Sequence, residues 1–282
     1  MGQQSTIEWT DHTFNPWWGC TKISPGCTHC YAETWSERYG HDIWGPRKSR
    51  RTFSEQHWQE PLRWNRLATQ QGHRMRVFCA SMADVFEDNP SIDSERHRLW
   101  SLIAETPMLD WLLLTKRPEN MLRFTPWKDP WPSNIWAMTS VENQEYADER
   151  IPTLIQIPTI IRGLSVEPLL GPVDLRPWLN HIQWVIVGGE SGREARPINP
   201  LWVRDIREQC LTAKVPFFFK QWGEWSPITS DTHAFEHLLH TNNDFREYMH
   251  RSGKKASGRL LDDKTWDALP FVVEAEHSMK IP

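Results

Sequence analysis

The sequence contains no long apolar segment and few cysteines. No apolar run among its 282 residues approaches the roughly 18 that span a bilayer, and the opening residues MGQQSTIEWTDH include no apolar core of a secretory signal. We therefore expect a cytoplasmic protein that does not enter a membrane. There are five cysteines, and three of them fall within eleven residues, which does not fit a disulfide framework in a chain this long. Metal binding in a reducing compartment explains this grouping better.

An excess of positive charge is also absent. The net charge is −4, so any binding to nucleic acid would depend on local basic patches. Hydrophobic residues make up 39% of the chain and charged residues 24%, which excludes a disordered chain and indicates a folded globular one. Tryptophan is abundant, with 18 copies. Because a buried indole N–H needs a hydrogen-bond partner, we expect many of these side chains in loops around a pocket.

Short apolar runs are spaced along the chain, and a polar segment follows each of them. The runs are Ile7–Thr10, Arg76–Ala80, Trp111–Thr115, Ile135–Thr139, Thr159–Ser165, Trp184–Val187 and Pro216–Phe219. Helical patterns lie between them at 91–105, 144–155 and 200–213. Such runs are typical of strands buried on both faces, and their alternation with helices indicates βα units around a parallel sheet. We predict an α/β fold, a partial or complete (β/α) barrel of about six to seven parallel strands, with a doubly wound open sheet as the alternative.

Two segments fall outside this alternation. Residues 40–66 are rich in Arg, Lys and Trp, and we predict that they form an insertion in a barrel domain of residues 1–225. Residues 226–282 are predicted to be a C-terminal appendage or lid. The 40–66 segment combines phosphate-pairing charges with stacking surfaces, and residues 246–259 add a second basic stretch. Both fit nucleic-acid binding, and both also fit solvated charged faces.

Cys20, Cys27 and Cys30 are the strongest chemical signal. Thiolates are soft ligands that favour iron–sulfur clusters, zinc or copper. Three of them can hold three irons of a 4Fe-4S cluster and leave the fourth iron open, as cleavage of S-adenosylmethionine (SAM) requires. A structural zinc site is the alternative, with His12 or His29 as fourth ligand, although no second close Cys/His pair follows.

Polar side chains that follow the later runs are candidate site residues, because barrel enzymes build their active sites at the carboxyl ends of the strands. Lys116 and Arg117, and likewise Lys220 and Gln221, are predicted to bind a substrate carboxylate or phosphate. Lys220 has a second interpretation, an ion pair with Glu190. Ser165 and Glu167 are candidates for cofactor binding. The carboxylates leave a third possibility open, a barrel hydrolase with a metal bound to Asp84, Glu142, Glu167 and Glu190.

The segment Ile7–Cys20 and the three-cysteine stretch ending Cys30-Tyr31-Ala32 resemble the phage-associated three-cysteine-motif family. Val187–Gly192, Lys220–Gly223 and Gly258–Asp262 match the same family, so the resemblance covers nearly the whole chain. That family is similar to the radical SAM superfamily, which implies a partial barrel (a variant of the TIM barrel), a 4Fe-4S cluster and SAM. The chain departs from the superfamily pattern in having six residues, not three, between Cys20 and Cys27, and an aromatic residue after the third cysteine.

The resemblance also implies roles for individual residues. Gly188, Gly189 and Glu190 resemble the superfamily's Gly-Gly-Glu segment, which holds the SAM amino group, although here they follow the sixth strand. Polar residues after the fourth strand would face the SAM ribose; they are Ser140, Glu142 and Asn143. The implied activity is reductive cleavage of SAM to a 5′-deoxyadenosyl radical, for modification or repair of a nucleic-acid base. A reductant such as flavodoxin or ferredoxin is the implied partner, and a zinc-stabilised nucleic-acid-binding protein without redox chemistry is the alternative.

Overall fold

Seven parallel strands form one sheet in which the spatial order equals the chain order. The computed structural model describes residues 5, 7–228 and 244–271. The strands are β1 His12–Thr13, β2 Met75–Cys79, β3 Leu109–Thr115, β4 Ile135–Ser140, β5 Ile161–Val166, β6 Trp184–Gly188 and β7 Phe217–Gln221. Consecutive strands pair in parallel from β1 to β7, and the sheet curls into a half-barrel. The predicted α/β partial barrel is confirmed.

Helices lie between these strands along the chain, and most of them pack on the outer face of the sheet. They are α1 Tyr31–Arg38, α2 Glu55–Trp58, α3 Glu60–Gln71, α4 Asp93–Glu105, α5 Met121–Phe124, α6 Gln144–Ile155 and α7 Pro200–Ala213. The helices predicted at 144–155 and 200–213 are confirmed with the same bounds. The helix predicted from residue 91 begins at Asp93, because Pro90–Ile92 forms a 3₁₀ turn capped by the Asn89 side chain. The main core lies between these helices and the sheet.

The first strand was predicted at the wrong place. Ile7–Trp9 form a turn, and the ladder with β2 begins at His12. Trp9 instead packs on the inner face of the sheet, where its ring lies 4.7 Å from Phe78 and 6.0 Å from Trp184. The run at residues 7–10 is therefore apolar because Trp9 fills the amino end of the half-barrel, and not because the run forms a strand.

The second half of the segment 40–66 belongs to regular elements of the fold, and the predicted insertion stays a prediction. This half of the segment enters α3, the crossover helix between β1 and β2, which packs against β2, β3 and α4. Trp58 is buried, and Trp64 stacks on His12 with ring centroids 4.3 Å apart. Arg50 is also buried, in a two-armed ion pair with Glu87. These side chains stabilise the fold and do not offer free stacking or phosphate-binding surfaces.

Most of the tryptophans contribute to the interior of the protein. Ten of the 18 are buried, whereas the sequence analysis expects many in loops around a pocket. Several form edge-to-face pairs with one another or with phenylalanine, as Trp136 and Trp184 do at 6.1 Å. Aromatic packing of this kind explains how one sheet buries so many indoles.

The chain after β7 covers the outer edge of that strand. Two short strands, β8 Trp225–Pro227 and β9 Met249–Arg251, pair antiparallel, and the one-turn helix α8 Lys254–Ser257 follows. The Phe219 N–H donates to the Trp266 carbonyl at 2.9 Å, and Trp184 Nε1 donates to the Ala268 carbonyl at 2.9 Å. The first of these bonds occupies a backbone group of β7 that an open sheet edge would expose. Residues 229–243 and 272–282 of the predicted appendage lie outside the described residues, and the division at residue 225 stays a prediction.

No helix in the described part of the chain is both long enough and apolar enough to cross a bilayer.

Candidate functional site

The cysteine loop, residues 19–30, connects β1 to α1 and lies over the carboxyl ends of later strands. Cys27 ends a 3₁₀ turn that begins at Pro25, and Cys30 occupies the position before the first residue of α1. As whole residues, the three cysteines are intermediate between buried and exposed. Arg50 Nη2 donates to Thr21 Oγ1 in this loop at 3.0 Å. Three further side-chain contacts fasten the loop to the half-barrel, and each comes from the segment that follows a different strand.

The first contact comes from Arg117, which follows β3. Its Nη1 lies 3.8 Å from Cys20 Sγ and 2.8 Å from Asp84 Oδ2, and its Nη2 donates to the Thr21 carbonyl at 2.6 Å. Asp84 follows β2, and its Oδ1 accepts a hydrogen bond from Thr115 Oγ1 at 2.7 Å. The sequence predicts that Arg117 binds substrate. In this structure its guanidinium instead binds the cysteine loop and Asp84.

The second contact comes from Glu142, which follows β4 and is fully buried. Ser24 Oγ donates to its Oε1 at 2.6 Å, and Arg150 Nη1 lies 3.0 Å from its Oε2. Lys116 Nζ stands 3.6 Å from the same carboxylate. Gly26 packs so closely on Glu142 that an added Cβ would lie 2.5 Å from its Cγ. Glu142, predicted as a cofactor ligand, thus holds the loop through Ser24 and Gly26.

The third contact comes from Arg196, which lies between β6 and α7. It forms a two-armed pair with Glu190, with Nε 2.8 Å from Oε2 and Nη2 2.6 Å from Oε1, and its Nη2 also donates to the Pro25 carbonyl at 2.9 Å. Gly189 has a packing reason to be glycine, because a Cβ there would overlap the Trp222 carbonyl oxygen. The Gly-Gly-Glu segment therefore supports the loop from the β6 side.

A further ion pair joins the ends of β5 and β7. Lys220 Nζ lies 2.7 and 2.8 Å from the two carboxylate oxygens of Glu167, and both side chains are only partly buried. Gln221 Nε2 donates to Ser191 Oγ at 3.0 Å. The interpretation that Lys220 pairs with Glu190 is wrong, because Glu190 pairs with Arg196. Gly188 lies against this pair, with an added Cβ placed 3.2 Å from the Glu167 carboxylate carbon.

The remaining predicted residues make backbone contacts. Asn143 caps α6 by accepting a hydrogen bond from the Tyr146 N–H at 3.2 Å. The Ser140 carbonyl accepts from Arg150 Nη1 at 2.9 Å, and the Ser165 carbonyl accepts from the Val141 N–H at 2.9 Å. Ser140 and Ser165 are both buried. Their hydroxyl groups are thus enclosed beneath the strand ends.

Sequence reasoning did not select Ser24, Arg150 or Arg196. Arg196 lies six residues after Glu190 and Arg150 eight after Glu142, so each could have been proposed as a local partner of a strand-end carboxylate. Ser24 carries no such signal, because 118 residues separate it from Glu142.

The arrangement of the His, Cys, Asp and Glu side chains bears on the metal-binding hypotheses. Within residues 5, 7–228 and 244–271, no three His, Cys, Asp or Glu side chains are arranged to hold a metal ion. Burial raises the pKa of the Cys20 thiol to about 12, and the nearby Asp84 carboxylate adds to this effect while Arg117 opposes it. The donor chemistry nevertheless fits an iron–sulfur cluster, because three thiols on one loop are the soft ligands that such a cluster takes.

The strand-end carboxylates do not form a shared metal centre. Each has a cation of its own; the pairs are Asp84–Arg117, Glu142–Arg150, Glu167–Lys220 and Glu190–Arg196. A divalent cation would have to displace these partners, which disfavours the barrel-hydrolase alternative. Cys79 and Cys210 are buried in the main core, as their apolar sequence context indicates.

The fold and the site define a partial (β/α) barrel with a cysteine loop at the carboxyl edge of its sheet. A family model described as "Protein of unknown function (DUF5131)" matches residues 4–270, so the chain belongs to that family. No curated protein matches the chain.

Among solved structures, the chain matches mutants of spore photoproduct lyase at low similarity. A cysteine-to-serine mutant matches with 13% identity and a TM-score of 0.43, over 74% of this chain and 63% of that one. A double mutant with bound AdoMet and dinucleoside spore photoproduct matches with 12% identity and a TM-score of 0.41, over 71% and 61%. The chain thus spans about three fifths of the length of these structures.

Proposed function

We propose that this protein is a radical-SAM-type enzyme that holds a 4Fe-4S cluster through Cys20, Cys27 and Cys30. The observation that carries the proposal is the position of the cysteine loop, which three side chains fasten over the carboxyl edge of a parallel half-barrel. When bound, the cluster would supply the electron that cleaves SAM into methionine and a 5′-deoxyadenosyl radical able to abstract hydrogen from a substrate.

The protein's own residues would position the reactants. Lys116 and Lys220 are partly exposed cations at the strand ends, and each would exchange its carboxylate neighbour, Glu142 or Glu167, for a carboxylate or phosphate group of SAM or substrate. Trp9 fills the amino end of the half-barrel, so reactants would approach from the carboxyl edge. Aromatic packing there also excludes water from beneath the site.

A nucleic-acid base is the substrate class that we propose. Arg251 Nη2 donates to the Gly192 carbonyl at 2.9 Å, which places β9 beside the loop that follows β6. Lys254 and Lys255 continue this exposed basic strip into α8. Such cations can pair with phosphates next to the site. A cytoplasmic location, a reductant such as flavodoxin or ferredoxin, and a phage association complete the proposal.

Anaerobic purification tests the cluster directly. We expect a brown protein with bound iron and sulfide, and we expect Cys20→Ala, Cys27→Ala and Cys30→Ala each to lose most of that iron. Cys210→Ala is the matched control, because Cys210 is buried on α7 and should not affect iron content. A colourless protein that holds one zinc and no iron would overturn the proposal.

Catalysis needs a separate assay. After dithionite reduction, the iron-loaded protein should convert SAM into 5′-deoxyadenosine, and the three cysteine variants should not. Iron-loaded protein that forms no 5′-deoxyadenosine, with or without single-stranded DNA or RNA, would count against SAM cleavage.

A further inference from the structure

We propose that Arg117 raises the reduction potential of the cluster that Cys20 would ligate; this inference rests on the function proposed above. Arg117 Nη1 lies 3.8 Å from Cys20 Sγ, within hydrogen-bond range of sulfur. The side chain is nearly buried, with 9% of it exposed, so water does not compete strongly for this contact. Among the three cysteines, Cys20 is the one that Arg117 contacts.

The position of the guanidinium is fixed from behind by Asp84. Asp84 Oδ2 lies 2.8 Å from Arg117 Nη1, and the carboxylate is itself held by Thr115 Oγ1 at 2.7 Å and the Phe86 N–H at 3.0 Å. A second arm of the guanidinium donates to the Thr21 carbonyl, beside the cysteine. The N–H group that faces the sulfur is therefore held in place before any ligand binds.

The direction of the effect follows from electrostatics. Reduction adds one electron to a cluster and increases the electron density on its sulfur atoms. A guanidinium is always protonated, and a hydrogen bond from it stabilises the electron-rich state more than the oxidised one. Hydrogen bonds to the sulfurs and local charge are the protein's main means of setting such potentials. Asp84 neutralises most of the positive charge of Arg117. The effect on the cluster therefore comes mainly from the Arg117 N–H that points at the Cys20 sulfur.

The experiment is a redox titration of the reconstituted protein, followed by electron paramagnetic resonance, with dithionite supplying the electron. We expect Arg117→Met to retain iron and to shift the reduction equilibrium at least tenfold toward the oxidised state, which is 59 mV for a one-electron couple. Arg117→Lys keeps the positive charge but loses the two-armed guanidinium. Its reduction potential should therefore lie between those of the native protein and Arg117→Met. Arg123→Met is the matched control, because Arg123 is an exposed arginine paired with Asp88.

A double variant separates the hydrogen bond from the charge. Arg117→Met leaves the Asp84 carboxylate unpaired, and that negative charge would itself lower the potential. Arg117→Met combined with Asp84→Asn removes both charges, and its potential should stay below that of the native protein. A return to the native potential would overturn the inference, as would an unchanged potential in Arg117→Met.

Loss of iron gives different information. If Arg117→Met and Arg117→Lys both fail to retain iron while the native protein retains it, Arg117 only ties the loop in place and the inference is wrong. If the native protein itself retains no iron, the proposed function fails, and this result is seen before any potential is measured.

Discussion

Gly26 makes a tight packing contact between the cysteine loop and the residue that follows β4. An added Cβ would lie 2.5 Å from Cγ and 2.6 Å from Oε1 of Glu142, which is fully buried and bound to Arg150. We expect Gly26→Ala to push the loop away from β4, to lower the free energy of unfolding by about 1–3 kcal/mol and to remove most of the bound iron. Denaturant unfolding and iron analysis measure the two effects.

Gly171→Ala is the control for that variant. An added Cβ there would meet Asn143 Cβ at 3.5 Å, an ordinary van der Waals distance in the same part of the site. Iron content and stability should stay at native values. A Gly26→Ala protein that retains full iron would show that this contact does not position the loop.

At the scale of the secondary-structure elements, the β2–β3 pair contains a buried carboxylate. Asp110 on β3 lies 3.2 Å from Arg74, and burial raises its pKa from 3.8 to about 6, although Arg74 opposes the shift. The folded state therefore binds more protons than the unfolded state between these values, and stability falls as the pH rises through that window. Asp110→Asn should remove this decline, as urea unfolding across the window would show. If the free energy of unfolding falls with pH equally in the native protein and in Asp110→Asn, this prediction is wrong.

The regular elements could largely be predicted from sequence, because each depends on local pattern. Apolar runs located β2 to β7, and periodicity located α6 and α7 with their bounds. The first strand was misplaced because Trp9 is apolar for a different reason, which is packing inside the half-barrel. The short strands β8 and β9 contain three residues each, too few for a pattern to emerge.

The sequence predicts which kinds of residue gather at the site. It does not predict which of them form ion pairs with one another. Parallel strands bring their carboxyl ends together, so topology alone collected Arg117, Glu142, Glu167 and Glu190 near the cysteines. Which cation meets which carboxylate depends on side-chain geometry between segments far apart in the chain. The resemblance implied cofactor-binding roles for Glu142 and Glu190. It did not indicate that Glu142 holds the cysteine loop or that Glu190 pairs with Arg196.

At the scale of the whole molecule, the segment after α8 is packed onto the sheet. Leu261 is fully buried in the main core, whereas its neighbour Leu260 is 54% exposed. We expect Leu261→Ala to lower the free energy of unfolding by about 2–5 kcal/mol, because it leaves a cavity beside β7. Leu260→Ala should change it by less than about 0.5 kcal/mol. Equal, small effects would mean that the segment contributes little to the fold.

The two-residue length of β1 leaves the cysteine loop dependent on contacts made across the sheet. β1 joins the sheet at one edge through a ladder of only two residues with β2, and residues 14–18 lie between it and the loop. Edge segments with little pairing open at lower free energy than the strands between them. Arg117, Glu142 and Arg196 therefore supply anchoring that the ladder lacks. The loop is secured by residues that follow it by about a hundred positions or more, so its geometry is complete only when the later strands have joined the sheet.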